Sequence, residues 1–127
     1  MNLRGNYPAK VDEKGRLKIP ALFLEGLKEY GNQFYITSPT GESARIYPIK
    51  DWMQIEEKLA GVSSQNRAKR KFLIRTSYYG QTVELVAQGR VLLPSILRDT
   101  SQPIGDVDVF GNIDFLELRN HTSFATD

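Results

Sequence analysis

The residues of this 127-residue chain best suited to chemistry cluster between positions 10 and 18, where Lys10, Lys14, Arg16 and Lys18 surround Asp12. Cations with no nucleophile or general base beside them suit phosphate contact, and a carboxylate four residues before an arginine can hold its guanidinium extended. Bond-breaking chemistry has little to build on. With no cysteine there is no thiolate zinc site, disulfide or cysteine nucleophile, and the one histidine, His121, stands in a polar C-terminal segment. Neither paired carboxylates, a phosphate-binding loop nor metal-ligand spacing occurs, so no enzyme activity, metal, cofactor or small-molecule substrate is expected.

The formal net charge is only +2, but it is unevenly spread. Residues 1–20 hold five basic and two acidic groups, Arg4 among the basic ones, and residues 67–75 hold five basic and none acidic. Those two segments sum to +8, leaving −6 for the rest of the chain. Such segregation suits a polyanionic partner or an acidic subunit surface; it is also what an ordinary solvated face shows. A content of 40% hydrophobic and 25% charged residues is that of one globular unit with a real core. No apolar run reaches the length of a signal peptide or a membrane span, so neither secretion nor membrane insertion is expected, and the absence of cysteine allows a reducing, intracellular compartment.

Comparing the chain with itself at an offset of 74 reveals what positions the cationic cluster. AKVDEKGRLKIP, residues 9–20, aligns with VELVAQGRVLLP, residues 83–94. Gly15, Arg16 and Pro20 match Gly89, Arg90 and Pro94, while Val11, Leu17, Ile19 and Leu22 match Leu85, Val91, Leu93 and Ile96. Each copy reads as a strand, a tight turn and a second strand, Arg16 to Ile19 or Arg90 to Leu93. Gly15 or Gly89 supplies the positive φ that a three-residue hairpin loop needs before its bulge. Pro20 and Pro94 suit the first position of a following helix. The first of these helices carries Leu22, Phe23 and Leu27 inward and stops near Gly31; the second is shorter, with Ile96 and Leu97 before a loop over Ser101 to Gly105. Further strands are expected at Phe34 to Thr37 and Val107 to Phe110.

Between the copies, Ala44 to Tyr47 reads as a strand and Asp51 to Leu59 as a helix with Trp52, Ile55 and Leu59 on one face and Gly61 as its stop. A second helix over 66–77 turns Phe72 and Leu73 inward and leaves Arg67, Lys69, Arg70 and Lys71 solvated. Thr122 to Asp127 reads as a frayed tail. The organisation expected is a first half over 1–61, a basic helical linker over 62–79 and a second half over 80–127. Each half is too small to cover its own apolar faces, so the two should interlock into one unit.

The string KVDEKGRLKIP resembles the swapped-hairpin motif of AbrB-type transcription factors, and the chain as a whole, from LRGNYPAKVDEKGRLKIP through IYPIKDW to QGRVLLP, resembles the MraZ family, which carries two such motifs. The resemblance implies a mixed α/β, mostly β fold: an intertwined double-split β-barrel made from two pseudo-repeats with linking helices. It also implies a cytoplasmic, nucleoid-associated regulator that forms a closed homo-oligomeric ring. Its partner would be double-stranded DNA, at repeated boxes upstream of the division and cell-wall gene cluster that includes its own promoter. Carried over, the family's acidic-x-x-Gly-Arg element falls on Asp12, Gly15 and Arg16, with Lys14 inside it. The second copy departs from the pattern, with Val86 and Ala87 where Asp and Lys are usual, so Arg90 lacks its orienting carboxylate. The segment after Leu118 lacks the amphipathic helix of longer members.

The expected DNA-contacting residues are therefore Arg4, Lys10, Lys14, Arg16, Lys18 and Arg90, with Asp12, Gly15 and Gly89 shaping the hairpins. The alternative is a ring-forming interaction protein of the same fold with weak or no specific DNA binding. Trp52, Tyr78 and Tyr79 are assigned to core or interface packing rather than base stacking.

Overall fold

The computed structural model describes residues 3–100 and 105–120, with only the backbone of residues 99 and 100. His121, the interior of the loop expected over Ser101 to Gly105 and the tail from Thr122 lie outside the described residues. The elements run β1 (Asn6–Val11), β2 (Arg16–Lys18), α1 (Ala21–Lys28), β3 (Gln33–Thr37), β4 (Ala44–Pro48), α2 (Ile49–Ala60), α3 (Arg67–Tyr78), β5 (Gln81–Glu84), β6 (Arg90–Leu92), α4 (Ser95–Thr100), β7 (Gly105–Gly111) and β8 (Leu116–Asn120). A single 3-10 turn, Ala87–Gly89, precedes β6.

The eight strands form one sheet in the order β5-β3-β4-β8-β7-β1-β2-β6, which curls into a nearly closed, mostly antiparallel barrel. Its connectivity is crosswise: β1 of the first copy pairs with β7 of the second, and β5 of the second pairs with β3 of the first. Two further antiparallel ladders between the copies join equivalent strands, with Leu17 of β2 opposite Val91 of β6 and Ala44 of β4 opposite Leu118 of β8. Both pairs are 74 residues apart. When equivalent residues face each other across an antiparallel ladder, a local twofold axis passes between them, so the sequence duplication is a pseudo-dyad in space. Neither copy closes a sheet of its own.

The core follows that symmetry. Leu17 and Val91, Ile19 and Leu93, Phe23 and Leu97, and Ala44 and Leu118 are repeat-related pairs, all buried. Leu3, Val11, Leu27, Phe34, Ile36, Ile46, Val107, Val109 and Leu116 complete it. A fully buried side chain of this size contributes about 1.5–3 kcal/mol, and here each contribution requires both copies. At the β4–β8 ladder Glu117 is a buried carboxylate, held by Arg119 Nε at 3.1 Å and facing Arg45 Nε at 3.6 Å.

The α2–α3 pair is laid against β3 and β4. Trp52 stacks on Tyr35 at 4.7 Å, meets Tyr47 at 5.0 Å and Phe72 at 6.2 Å, and is buried. The Thr76 carbonyl accepts hydrogen bonds from Tyr35 Oη at 2.8 Å and Thr37 Oγ1 at 2.7 Å. Asn66 caps α3 by accepting from the Lys69 N–H. Trp52, Ile55 and Leu59 do share the inward face of α2, and Phe72 and Leu73 are half-buried.

Three details differ from the sequence expectation. Pro20 lies one position before its helix, with ψ 137°, because the chain leaves β2 extended; its carbonyl then accepts from Phe23 and Leu24 and starts α1 at Ala21. Leu22 is exposed, and Leu24 takes the inward place beside Phe23 and Leu27, because α1 covers the end of the opposite hairpin as well as the barrel. Strand β8 was not anticipated, although its Leu118 is the repeat mate of Ala44 in β4.

Candidate nucleic-acid interface

The first hairpin is a three-residue loop with the expected bulge. Asp12 N–H donates to the Arg16 carbonyl at 3.0 Å, Gly15 N–H donates to the Asp12 carbonyl at 2.9 Å, and Gly15 sits at φ +84°. The Asp12 carboxylate fixes both backbone and side chain. Oδ1 accepts from the N–H groups of Lys14 at 3.0 Å and Arg16 at 2.8 Å, and Oδ2 accepts from Arg16 Nε at 2.8 Å. The Arg16 N–H, reinforced by its guanidinium and by the Lys14 N–H, outweighs the effect of burial and holds the Asp12 carboxyl below its ordinary value. Arg16 is thus held extended, and among the described residues its terminal nitrogens have no hydrogen-bond acceptor.

The second hairpin repeats the closure, with Val86 N–H donating to the Arg90 carbonyl at 2.8 Å and Gly89 at φ +70°. It lacks the lock. No carboxylate pairs with Arg90 among the described residues, and Gln88, the mate of Lys14, stands at φ 66°, ψ 24°. Turn closure therefore survives while turn conformation does not: two successive residues, Gln88 and Gly89, are left-handed where the first turn has only Gly15. Without a carboxylate to accept the N–H of the middle loop residue, that residue rotates.

Each turn is covered by the helix of the other copy. Arg98 of α4 lies on Gly15 and donates from Nη1 to the Lys14 carbonyl at 2.8 Å; its repeat mate Leu24 of α1 lies on Gly89. The backbones are also tied across, Leu93 N–H to the Gly15 carbonyl and Ile19 N–H to the Gly89 carbonyl, both at 2.9 Å. The sequence reading missed Arg98, and the only signal for it was its 74-residue offset from Leu24.

Lys10, Arg16, Lys18 and Arg90 line one open groove together with Val11, Asp12 and Gly105. Arg90 reaches it because β6 pairs with β2, placing Arg90 opposite Lys18. Residues 72 or more apart in sequence thus form a single cationic surface. Lys14 is exposed at the turn tip. Arg4 stands apart, beyond the far end of β1, where it borders a separate hollow with Leu22, Phe23 and Tyr30. The cations of α3 do not line the groove, and Lys69 Nζ is spent on the Val62 carbonyl at 2.7 Å. No cluster of metal-binding side chains occurs among the described residues, and no described helix is long and apolar enough to cross a membrane.

Residues 3–75 match the family described as "MraZ protein, putative antitoxin-like". The protein from Acidobacterium capsulatum named Transcriptional regulator MraZ is 57% identical over 95% of this chain and 84% of its own length. Proteins of the same name from Koribacter versatilis and Moorella thermoacetica are 44% and 38% identical, over 92% and 84% of this chain and 81% and 73% of theirs.

Proposed function

The chain belongs to the MraZ family, and from that premise we propose that this transcriptional regulator, not an enzyme, works by sequence-specific binding of duplex DNA through its hairpins. The observation that carries the reading is the groove in which Lys10, Arg16, Lys18 and Arg90 converge beside a turn locked by Asp12. A two-stranded ribbon fits a major groove, and a guanidinium held extended in advance loses little freedom on reaching a base edge or phosphate. Lys14 at the tip adds a phosphate contact; Asp12 orients and does not touch DNA, because a carboxylate repels phosphate.

The finer reading has three parts. The targets are repeated boxes in the promoter of the division and cell-wall genes, its own included. The protein acts in the cytoplasm at the nucleoid, and it assembles head-to-tail into a closed ring. Exposed Ile74 and Tyr78, one turn apart on α3, supply apolar surface suited to a subunit contact.

Footprinting on the DNA upstream of its own gene, followed by titration across salt concentrations, tests the reading. Protection of repeated boxes is expected, with log affinity falling linearly with log salt by about 0.9 for each phosphate neutralised. A flat salt dependence, or protection without sequence preference, would refute it.

A further inference from the structure

We propose that Arg98 belongs to the DNA-contacting surface, clamping the tip of the first hairpin from the opposite copy and binding one backbone phosphate with its outer N–H groups. The inference rests on the hairpin reading above and adds a residue that lies outside both hairpins.

The bare face of Gly15 is occupied by the Arg98 stem and guanidinium. A Cβ at Gly15 would lie 2.2 Å from Arg98 Cδ, 2.7 Å from Nε and 2.9 Å from Cζ. Nη1 is bonded to the Lys14 carbonyl at the tip. A guanidinium carries five N–H donors. One is used on Lys14, and Nε is packed away without an acceptor among the described residues. The outer donors remain on an exposed turn, next to Lys14. Because the planar group is pinned along its stem and at one nitrogen, those donors are already ordered, and a phosphate can take them at little further cost in side-chain freedom.

The pseudo-dyad separates packing from charge. At the equivalent place in the other copy, Leu24 covers Gly89, with Cδ2 2.6 Å from where a Cβ would stand. A leucine does the covering there, so covering a turn glycine does not require a cation. The cation is found over the turn that also carries Asp12, Lys14 and Arg16. The first hairpin thereby becomes a composite element, its arginine oriented from within by Asp12 and its tip held by a cation from the other copy.

The test is a salt titration of Arg98→Leu, Arg98→Gln and Arg98→Lys on duplex DNA from upstream of the protein's own gene, with Arg16→Ala as reference. Arg98→Leu should lower affinity roughly tenfold and make the log–log slope shallower by about 0.9, the share of one phosphate. Arg98→Lys should keep the wild-type slope. Arg98→Gln retains a donor for the Lys14 carbonyl without the charge, so it reads out the phosphate contact even where Arg98→Leu fails to fold. An unchanged slope in the folded neutral variants, with or without an affinity loss, overturns the phosphate role. If Arg16→Ala weakens binding while the Arg98 variants do not, only this inference fails; if Arg16→Ala also binds normally, the hairpin reading fails with it.

Discussion

The two hairpins share a closing hydrogen bond, a left-handed glycine and a backbone tie to the opposite copy, yet only the first has its arginine locked. In the first, one carboxylate accepts two turn N–H groups and the guanidinium of Arg16. In the second, Val86 offers nothing, and Gln88 takes a left-handed conformation, which costs a non-glycine residue about 1–2 kcal/mol. The barrel thus determines that a hairpin forms, and the side chain at its base determines how its arginine is presented. The Asp12–Arg16 pair is not a stability device: the Arg16 and Asp12 side chains are 40% and 38% exposed, and ion pairs this open to water contribute little to folding. Its effect is to limit the conformations from which Arg16 meets DNA.

The largest expected contrast is between the two arginines. Arg16→Ala should abolish specific binding with fold and assembly intact, removing roughly 1–3 kcal/mol of base discrimination if it reads a guanine edge. Arg90→Ala should cost clearly less, because Arg90 enters the same groove without an orienting partner. Operator affinities from gel-shift titration decide this, and equal losses would make the second hairpin a full partner. Adding the missing groups through Val86→Asp with Ala87→Lys should narrow the gap by tightening binding.

A middle-sized effect is expected from the lock. Asp12→Ala should weaken DNA binding several-fold and loosen the turn through its lost hydrogen bonds. Because the Asp12 carboxyl is held below its ordinary value of 3.8, its contribution is complete above that value and is lost only as pH falls through the lower folded value. The amide resonances of Lys14 and Arg16 should therefore stay constant from neutral pH down to the ordinary aspartate range and shift only below it. A transition at the ordinary aspartate value or above it would show that the lock does not form in solution.

The smallest effect tests the conformational difference itself. Gln88→Gly relieves a left-handed side chain and should be neutral or stabilising by up to about 1 kcal/mol in thermal unfolding. Lys14→Gly gives no such relief and should destabilise by about 0.4–1 kcal/mol through the added freedom of the unfolded chain. Shifts of the same sign would mean that the two turns share one conformation.

The duplication, the glycine-centred turns, the Asp12–Arg16 pairing and the inward face of α2 were all legible in the sequence. They depend on contacts within a few residues, where spacing alone fixes geometry: a carboxylate beside a three-residue loop lies within reach of that loop's N–H groups wherever the hairpin goes. The shared groove was not legible, because Arg90 joins Lys10, Arg16 and Lys18 only through the pairing of β2 with β6. Nor were the exposure of Leu22, the inward place of Leu24 and the seat of Arg98 on Gly15, since periodicity shows that a helix has an apolar face but not which turn of another copy it will cover. Local spacing determined the parts of this protein, while the exchange of strands between its two copies decided which parts meet, because neither copy can bury its core alone and contacts between them have no fixed separation along the chain.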